Sequence, residues 1–209
     1  MFQDLTGIQL LMVFGSLLIA MSTHEAMHAF TSHWLGDTTA EEQGRLSLNP
    51  LRHIDLVTTI LLPVVLILLG LPPIFAAKPV PFNPNRVKYD EFGVALVGVA
   101  GPLTNLMLAC VSALLFRFIP TMSNTVSDML VIFTLINVSL CIFNMIPFPP
   151  LDGSRVLYAF APEPVQRIME SIERMGFAAI LLFIFFAYQF IGPTILTLNE
   201  KLLHVLLGA

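Results

Sequence analysis

Charge is scarce in this sequence. Of 209 residues, 10 are Lys or Arg and 14 are Asp or Glu, 11% in all, against roughly 25% in ordinary soluble domains. Long basic runs are absent and the net charge is −4, which removes the cationic footprint that nucleic-acid binding needs. Cysteine is scarce as well. Cys110 and Cys141 both lie in apolar runs, where free thiols behave as small hydrophobes and not as a disulfide or metal framework. Apolar residues fill the space instead, at 56% of the chain and a mean hydropathy of +0.83. A soluble fold of this length would have to expose large apolar patches to carry them. The chain reads as an integral membrane protein.

Spanning a hydrocarbon core takes about 20 apolar residues. Four stretches meet that length: Ile8–His33, Phe92–Ile119, Ser127–Ile146 and Gly176–Leu198. A fifth, Leu56–Ala77, is long enough but interrupted by Pro63, Gly70, Pro72 and Pro73. The expected fold is an all-α polytopic membrane protein with about four full transmembrane helices plus one re-entrant or broken hydrophobic segment, in a single domain over 1–209. The first stretch has no basic n-region and no small-residue cleavage site behind it, so it is expected to be retained and not removed as a signal peptide. Beyond it, Arg45–Asn49 alternates with period two, as a short strand would. Lys78-Pro79-Val80-Pro81-Phe82-Asn83-Pro84 must be extended. This β-like region reads either as a loop at the membrane surface or as an edge strand beside a functional site.

The chemistry concentrates in His24-Glu25-Ala26-Met27-His28. Residues i and i+4 of a helix share a face, so both imidazoles can reach one zinc ion while the neighbouring Glu25 poises a water. The motif sits at the end of an apolar helix. Ionisable groups are rare there and cost about 2.5–3.5 kcal/mol each for Asp, Lys or Arg at a helix centre. A catalytic zinc needs a third protein ligand and one open position. Asp152 is the best candidate, in Asn144-Met145-Ile146-Pro147-Phe148-Pro149-Pro150-Leu151-Asp152-Gly153. Its three prolines break the helix and bare backbone carbonyls, which membrane depth tolerates only inside protein or beside a wet cavity. Asp152 also stands where it would cap the next helix, and its two oxygens allow both roles.

Three segments in this order resemble the site-2 protease family of intramembrane metalloproteases: HEAMH at 24–28, Ala100-Gly101-Pro102-Leu103-Thr104-Asn105, and NMIPFPPLDG at 144–153. GDTTA at 36–40, GRLSLNP at 44–50 and AKPVPFNP at 77–84 are similar to its small bacterial or archaeal branch, without appended domains. The resemblance runs from about His24 to Arg155. It implies that His24, His28 and Asp152 bind Zn2+ and that Glu25 is the general base. It also implies that Asn144 stabilises the oxyanion or holds substrate, and that Asn105 approaches the site from its own helix. For both asparagines, interhelical hydrogen bonding is the competing reading. The implied substrate is a single-span membrane protein or a signal-peptide-like remnant, cut within the bilayer. A non-proteolytic zinc-binding membrane protein, transporter or scaffold, is the alternative. Against it, the ionisable groups cluster at one site and do not mark a path. His33 lies about 140° round the helix from His28, and neither it, His53 nor His204 is expected to take part.

One zinc joining these residues sets a topology. The helix carrying HEAMH and the helix Ser127–Ile146 must run parallel, with an odd number of crossings between them. Phe92–Ile119 supplies one, so Leu56–Ala77 is expected to dip and return. The basic residues agree. A returning segment puts Arg45, Arg52, Lys78, Arg86, Lys88, Arg155, Arg167 and Arg174 on one side and only Arg117 and Lys201 on the other. A single crossing would divide them six against four. A multi-pass protein of the cell membrane is expected, with its site near the cytoplasmic face.

Overall fold

A computed structural model describes residues 6–53, 80–119, 121–183, 185 and 188–208. Helices make up most of these segments. Helix α1, Gly7–Trp34, opens with a capping box in which the Thr6 hydroxyl oxygen accepts from the Gln9 amide and the Gln9 side chain accepts from the Thr6 amide; two otherwise orphaned donors are satisfied together. It closes at Gly36, whose φ of 105° lies in the region that favours glycine, and whose N–H donates to the His33 carbonyl. A short α2, Thr39–Glu42, follows. The long α3, Asp90–Phe118, and α4, Asn124–Asn144, come next, the latter capped by the Ser123 hydroxyl accepting from the Val126 amide. Then come α5, Gly153–Phe160, α6, Glu163–Glu173, α7, Phe177–Leu182, and α8, Tyr188–Leu207.

The large apolar side chains point outward. Leu11, Phe14, Phe30, Leu103, Met107 and Val111 are exposed, whereas the buried faces of α1 and α3 are Ser16, Ala20, Ser22, Ala26, Ala29 and Ser32 against Gly98, Gly101, Ala109, Ser112 and Ala113. Between apolar helices in lipid there is no hydrophobic gain to be had, so small residues that let backbones approach, and polar side chains that bond across, drive association. Helices α1, α3 and α4 are each long and apolar enough to cross a membrane.

Cross-helix pairs give their directions. His28 meets Val97 and His24 meets Asn105, so α1 and α3 are antiparallel. Asn105 meets Asn137 and Ser112 meets Thr134, so α3 and α4 are antiparallel too. Helices α1 and α4 therefore run parallel, as one metal joining their C-terminal ends requires. Helix α8 returns beside them. Its Asn199 donates to Ser139, Arg117 of α3 reaches the Val205 and Leu206 carbonyls, and Ile195, Leu202, Leu203 and Leu206 pack on Ala109, Val138 and Ile142.

Two parts of the expected fold are not reproduced among the described residues. Three helices among the described residues meet the length and apolarity of a span, not four. The fourth stretch, Gly176–Leu198, is divided between α7 and α8, and residues 184, 186 and 187 between them lie outside the described set. The β-like region forms no strand among the described residues. The physical reason is that Arg45–Asn49 spends its polar groups locally. The Ser47 amide donates back to the Arg45 carbonyl, the Ser47 carbonyl accepts from His53 Nε2 at 2.7 Å, and the Arg45 guanidinium donates to the Arg52 carbonyl. His53 is buried. Leu56–Ala77 lies outside the described residues. Val80, beyond it, packs on Ala29 in the C-terminal half of α1, and nearby Lys88 N–H donates to the Leu35 carbonyl and Asn83 N–H to Asp37.

Candidate metal centre

The helical period places His24 and His28 one above the other on the inner face of α1, both buried. What each ring does with its Nδ1 settles the rest. His24 Nδ1 lies 2.6 Å from Asn105 Oδ1, and His28 Nδ1 lies 2.6 Å from the Val97 carbonyl oxygen. Both partners are oxygens that only accept, so each Nδ1 carries its proton, and the neutral ring then presents a lone pair at Nε2. Those two Nε2 atoms are 3.0 Å apart. Asp152 Oδ2 lies 3.0 Å from the first and 3.2 Å from the second.

Three lone-pair donors thus converge from one helix, α1, and a loop more than a hundred residues further along the chain. Without a cation among them they repel. A tetrahedral zinc with bonds of 2.0–2.1 Å sets its ligands about 3.3 Å apart, close to the spacing found. The backbone accommodates the cluster because α3 bears no side chain where it passes. A Cβ built on Gly101 would fall 2.5 Å from His28 Nε2 and 2.6 Å from His24 Nε2. One turn earlier, a Cβ on Gly98 would meet the Asp152 carbonyl oxygen at 3.0 Å, so this second glycine lets the loop carrying Asp152 come up against α3.

Asp152 stands at the N-cap of α5, yet its side chain makes no capping hydrogen bond. Its Oδ2 faces the imidazoles and its Oδ1 lies 3.8 Å from the Arg155 guanidinium. Arg155 in turn lies over the Phe82 ring, 4.4 Å from its centre. Glu25 is half-buried beside the cluster, and its Oε2 accepts the Val80 N–H at 2.8 Å. A cavity of about 580 Å³ opens next to Arg155, lined by Phe82, Asn85, Glu91, Tyr158 and Glu170 among others. There the Tyr158 hydroxyl donates to Glu170 at 2.7 Å, and holding that proton against a carboxylate pushes its pKa up to about 12.

His24, His28 and Asp152 are therefore brought together as the sequence suggested. Asn105 is brought to them, but behind His24 and on the side away from the convergent lone pairs. Asn144 is not joined to the cluster by a hydrogen bond, because its amide donates to the Leu140 carbonyl of its own helix. His33 lies 3.4 Å from Glu41 on the surface, and His204 is exposed. Sequence reasoning missed Gly98, the Val97 carbonyl, the Val80 amide and Asn137. The spacing Gly98-x-x-Gly101-x-x-x-Asn105 on one helical face was a usable signal for the first. Backbone groups carry none.

Residues 116–187, which include Asp152, match the family described as Peptidase family M50. "Putative zinc metalloprotease YwhC" of Bacillus subtilis is 33% identical over 174 residues, covering 79% of this chain and 76% of its own length. "Putative zinc metalloprotease Rip2" of Mycolicibacterium smegmatis is 29% identical over 177 residues, 82% of this chain and 65% of its own. The protein of the same name in Mycobacterium tuberculosis is 28% identical over 188 residues, 88% of this chain and 68% of its own. No solved structure matches the chain.

Proposed function

Because the chain belongs to peptidase family M50, the site-2 protease family, we propose that it is an intramembrane zinc metalloprotease. It hydrolyses peptide bonds within or near the transmembrane segments of membrane-anchored substrates. The observation that carries this reading is the convergence of two imidazole lone pairs and a carboxylate oxygen within 3.2 Å of one another. Two nitrogens and one oxygen suit zinc and leave a fourth position free. His24, His28 and Asp152 would hold the ion. When bound, zinc supplies Lewis acidity, which acidifies water and polarises a carbonyl.

The chain's own residues do the remainder. Glu25, held by the Val80 amide, accepts the proton of the attacking water and passes it to the leaving nitrogen. Asn105 orients His24 from behind. Asn144, at the end of α4, holds the substrate or its developing oxyanion. The cavity beside Arg155 admits water and the unwound segment of substrate. Depth supports the intramembrane assignment: His24 stands ten residues, roughly 15 Å, inside the C-terminal end of α1. The excess of basic residues at the end where α1 closes supports a cytoplasmic opening.

Two measurements on detergent-purified protein test the reading. Elemental analysis is expected to find one zinc per wild-type chain and little in a folded Asp152→Ala variant. Glu25→Gln is expected to keep the metal and lose cleavage of a single-span reporter. Zinc retained in Asp152→Ala would remove the three-ligand site. Zinc-dependent transport without cleavage in the wild type would favour the alternative of a carrier.

A further inference from the structure

Asn137, in the middle of α4, is fully buried and has no role in the scheme above. Its Nδ2 donates to the Phe133 carbonyl at 2.9 Å, and its Oδ1 accepts from Asn105 Nδ2 at 2.9 Å. Asn105, also fully buried, directs the same Nδ2 to the Ala20 carbonyl at 3.2 Å and its Oδ1 to His24 Nδ1 at 2.6 Å.

The order of donors and acceptors along this path permits one polarity. A backbone carbonyl only accepts. Phe133 therefore draws the NH2 end of Asn137 and leaves its oxygen facing α3. That oxygen, with the Ala20 carbonyl, draws the NH2 end of Asn105 and leaves its oxygen facing His24. An oxygen there requires a proton on Nδ1, and neutral imidazole then has its lone pair on Nε2. Turning either amide over would set oxygen against oxygen in a buried site. We propose that Asn137 is a positioning residue for the metal centre: through Asn105 it holds the proton of His24 on Nδ1 and keeps the Nε2 lone pair aimed at His28 and Asp152. The inference rests on the metal-site reading above.

The same two helices supply a control. One to two turns away, Ser112 and Thr134 share a buried hydrogen bond of 2.8 Å that joins α3 to α4 but leads to no histidine. If Asn137 merely held the helices together, the two contacts would be equivalent.

The test is the zinc dissociation constant of the full-length protein in detergent, measured by chelator competition. Outer-sphere partners of metal-bound histidine typically contribute 10–100-fold in affinity. Asn137→Leu, close in size but without polar atoms, and the smaller Asn137→Ser are each expected to weaken zinc binding by about tenfold or more. Thr134→Val should leave it unchanged. In an Asn105→Leu background, adding Asn137→Leu should cost nothing further, since the path to His24 is already cut. Unchanged affinity in a folded Asn137 variant would overturn the proposal, and so would an equal loss in the Asn105→Leu background. Zinc binding in the wild type that ignores His24→Gln would remove the metal-site reading itself, and this inference with it.

Discussion

Gly101 is where one methyl group decides whether the centre can form. Its Cβ would lie 2.5–2.7 Å from atoms of both imidazoles, closer than real Cβ contacts come. Gly101→Ala is therefore expected to push the rings apart and reduce bound zinc by at least about tenfold, taking displaced ligands as no less damaging than lost outer-sphere partners; elemental analysis reads this directly. Gly15→Ala on α1, where a Cβ meets nothing within 4 Å, should leave zinc content at the wild-type level. HEAMH was legible because a fixed helical period turns a spacing of four into a shared face. Asn105 was legible through the resemblance carried by Ala100–Asn105, but not as the partner of Nδ1. That depends on how closely α1 and α3 approach, which their glycines and serines permit and no local pattern states.

At the scale of elements, the extended segment from Val80 to Asn83 shows how composition and long-range contact divide the work. Proline at 79, 81 and 84 removes donors that an extended chain would otherwise have to satisfy. The amides that remain at Val80 and Asn83 each meet a carboxylate, Glu25 at 2.8 Å and the buried Asp37 at 2.7 Å. Hydrogen bonds to charged groups contribute about 1.5–3 kcal/mol. Val80→Pro, which deletes the donor to Glu25, is expected to lower kcat by about ten- to a hundredfold on that basis while zinc content stays unchanged. Val80→Ala, which keeps the N–H, should fall much less. The period-two alternation of Arg45–Asn49 was real in the sequence and did not become a strand, because its Ser47 amide and carbonyl are taken within the same loop. Alternation alone does not supply a partner strand, and here it does not set burial either, since Arg45 is buried and Leu48 exposed.

For the molecule as a whole, the metal would join α1 to the loop beyond α4 and so lock two parallel helices at one end. Zinc at a hundred times its dissociation constant stabilises by about 2.7 kcal/mol, so adding chelator is expected to lower the thermal unfolding midpoint of the wild type but not of Asp152→Ala. The helix directions make a separate prediction. Single cysteines at the exposed Glu41 and Asn85 should react with an impermeant maleimide from the same side of the membrane, and one at the exposed Thr121, between α3 and α4, from the opposite side. Labelling of positions 41 and 85 from opposite faces would break the arrangement of α1 against α3.

The sequence alone determined that the chain is apolar enough for a membrane, that α1, α3 and α4 lie in stretches long enough to cross it, and that His24 and His28 share one helix face, with Asp152 as the candidate third ligand. The first three follow from burial cost or from a helix period, both of which act locally. The tertiary structure alone decided how the convergence is held. The Val97 carbonyl, the Val80 amide, the bare faces of Gly98 and Gly101, and the path from Phe133 through Asn137 and Asn105 to His24 are pairings between distant elements. A backbone carbonyl or amide looks the same at every residue, and only the packing of α1, α3 and α4 selects the one that a given side chain meets.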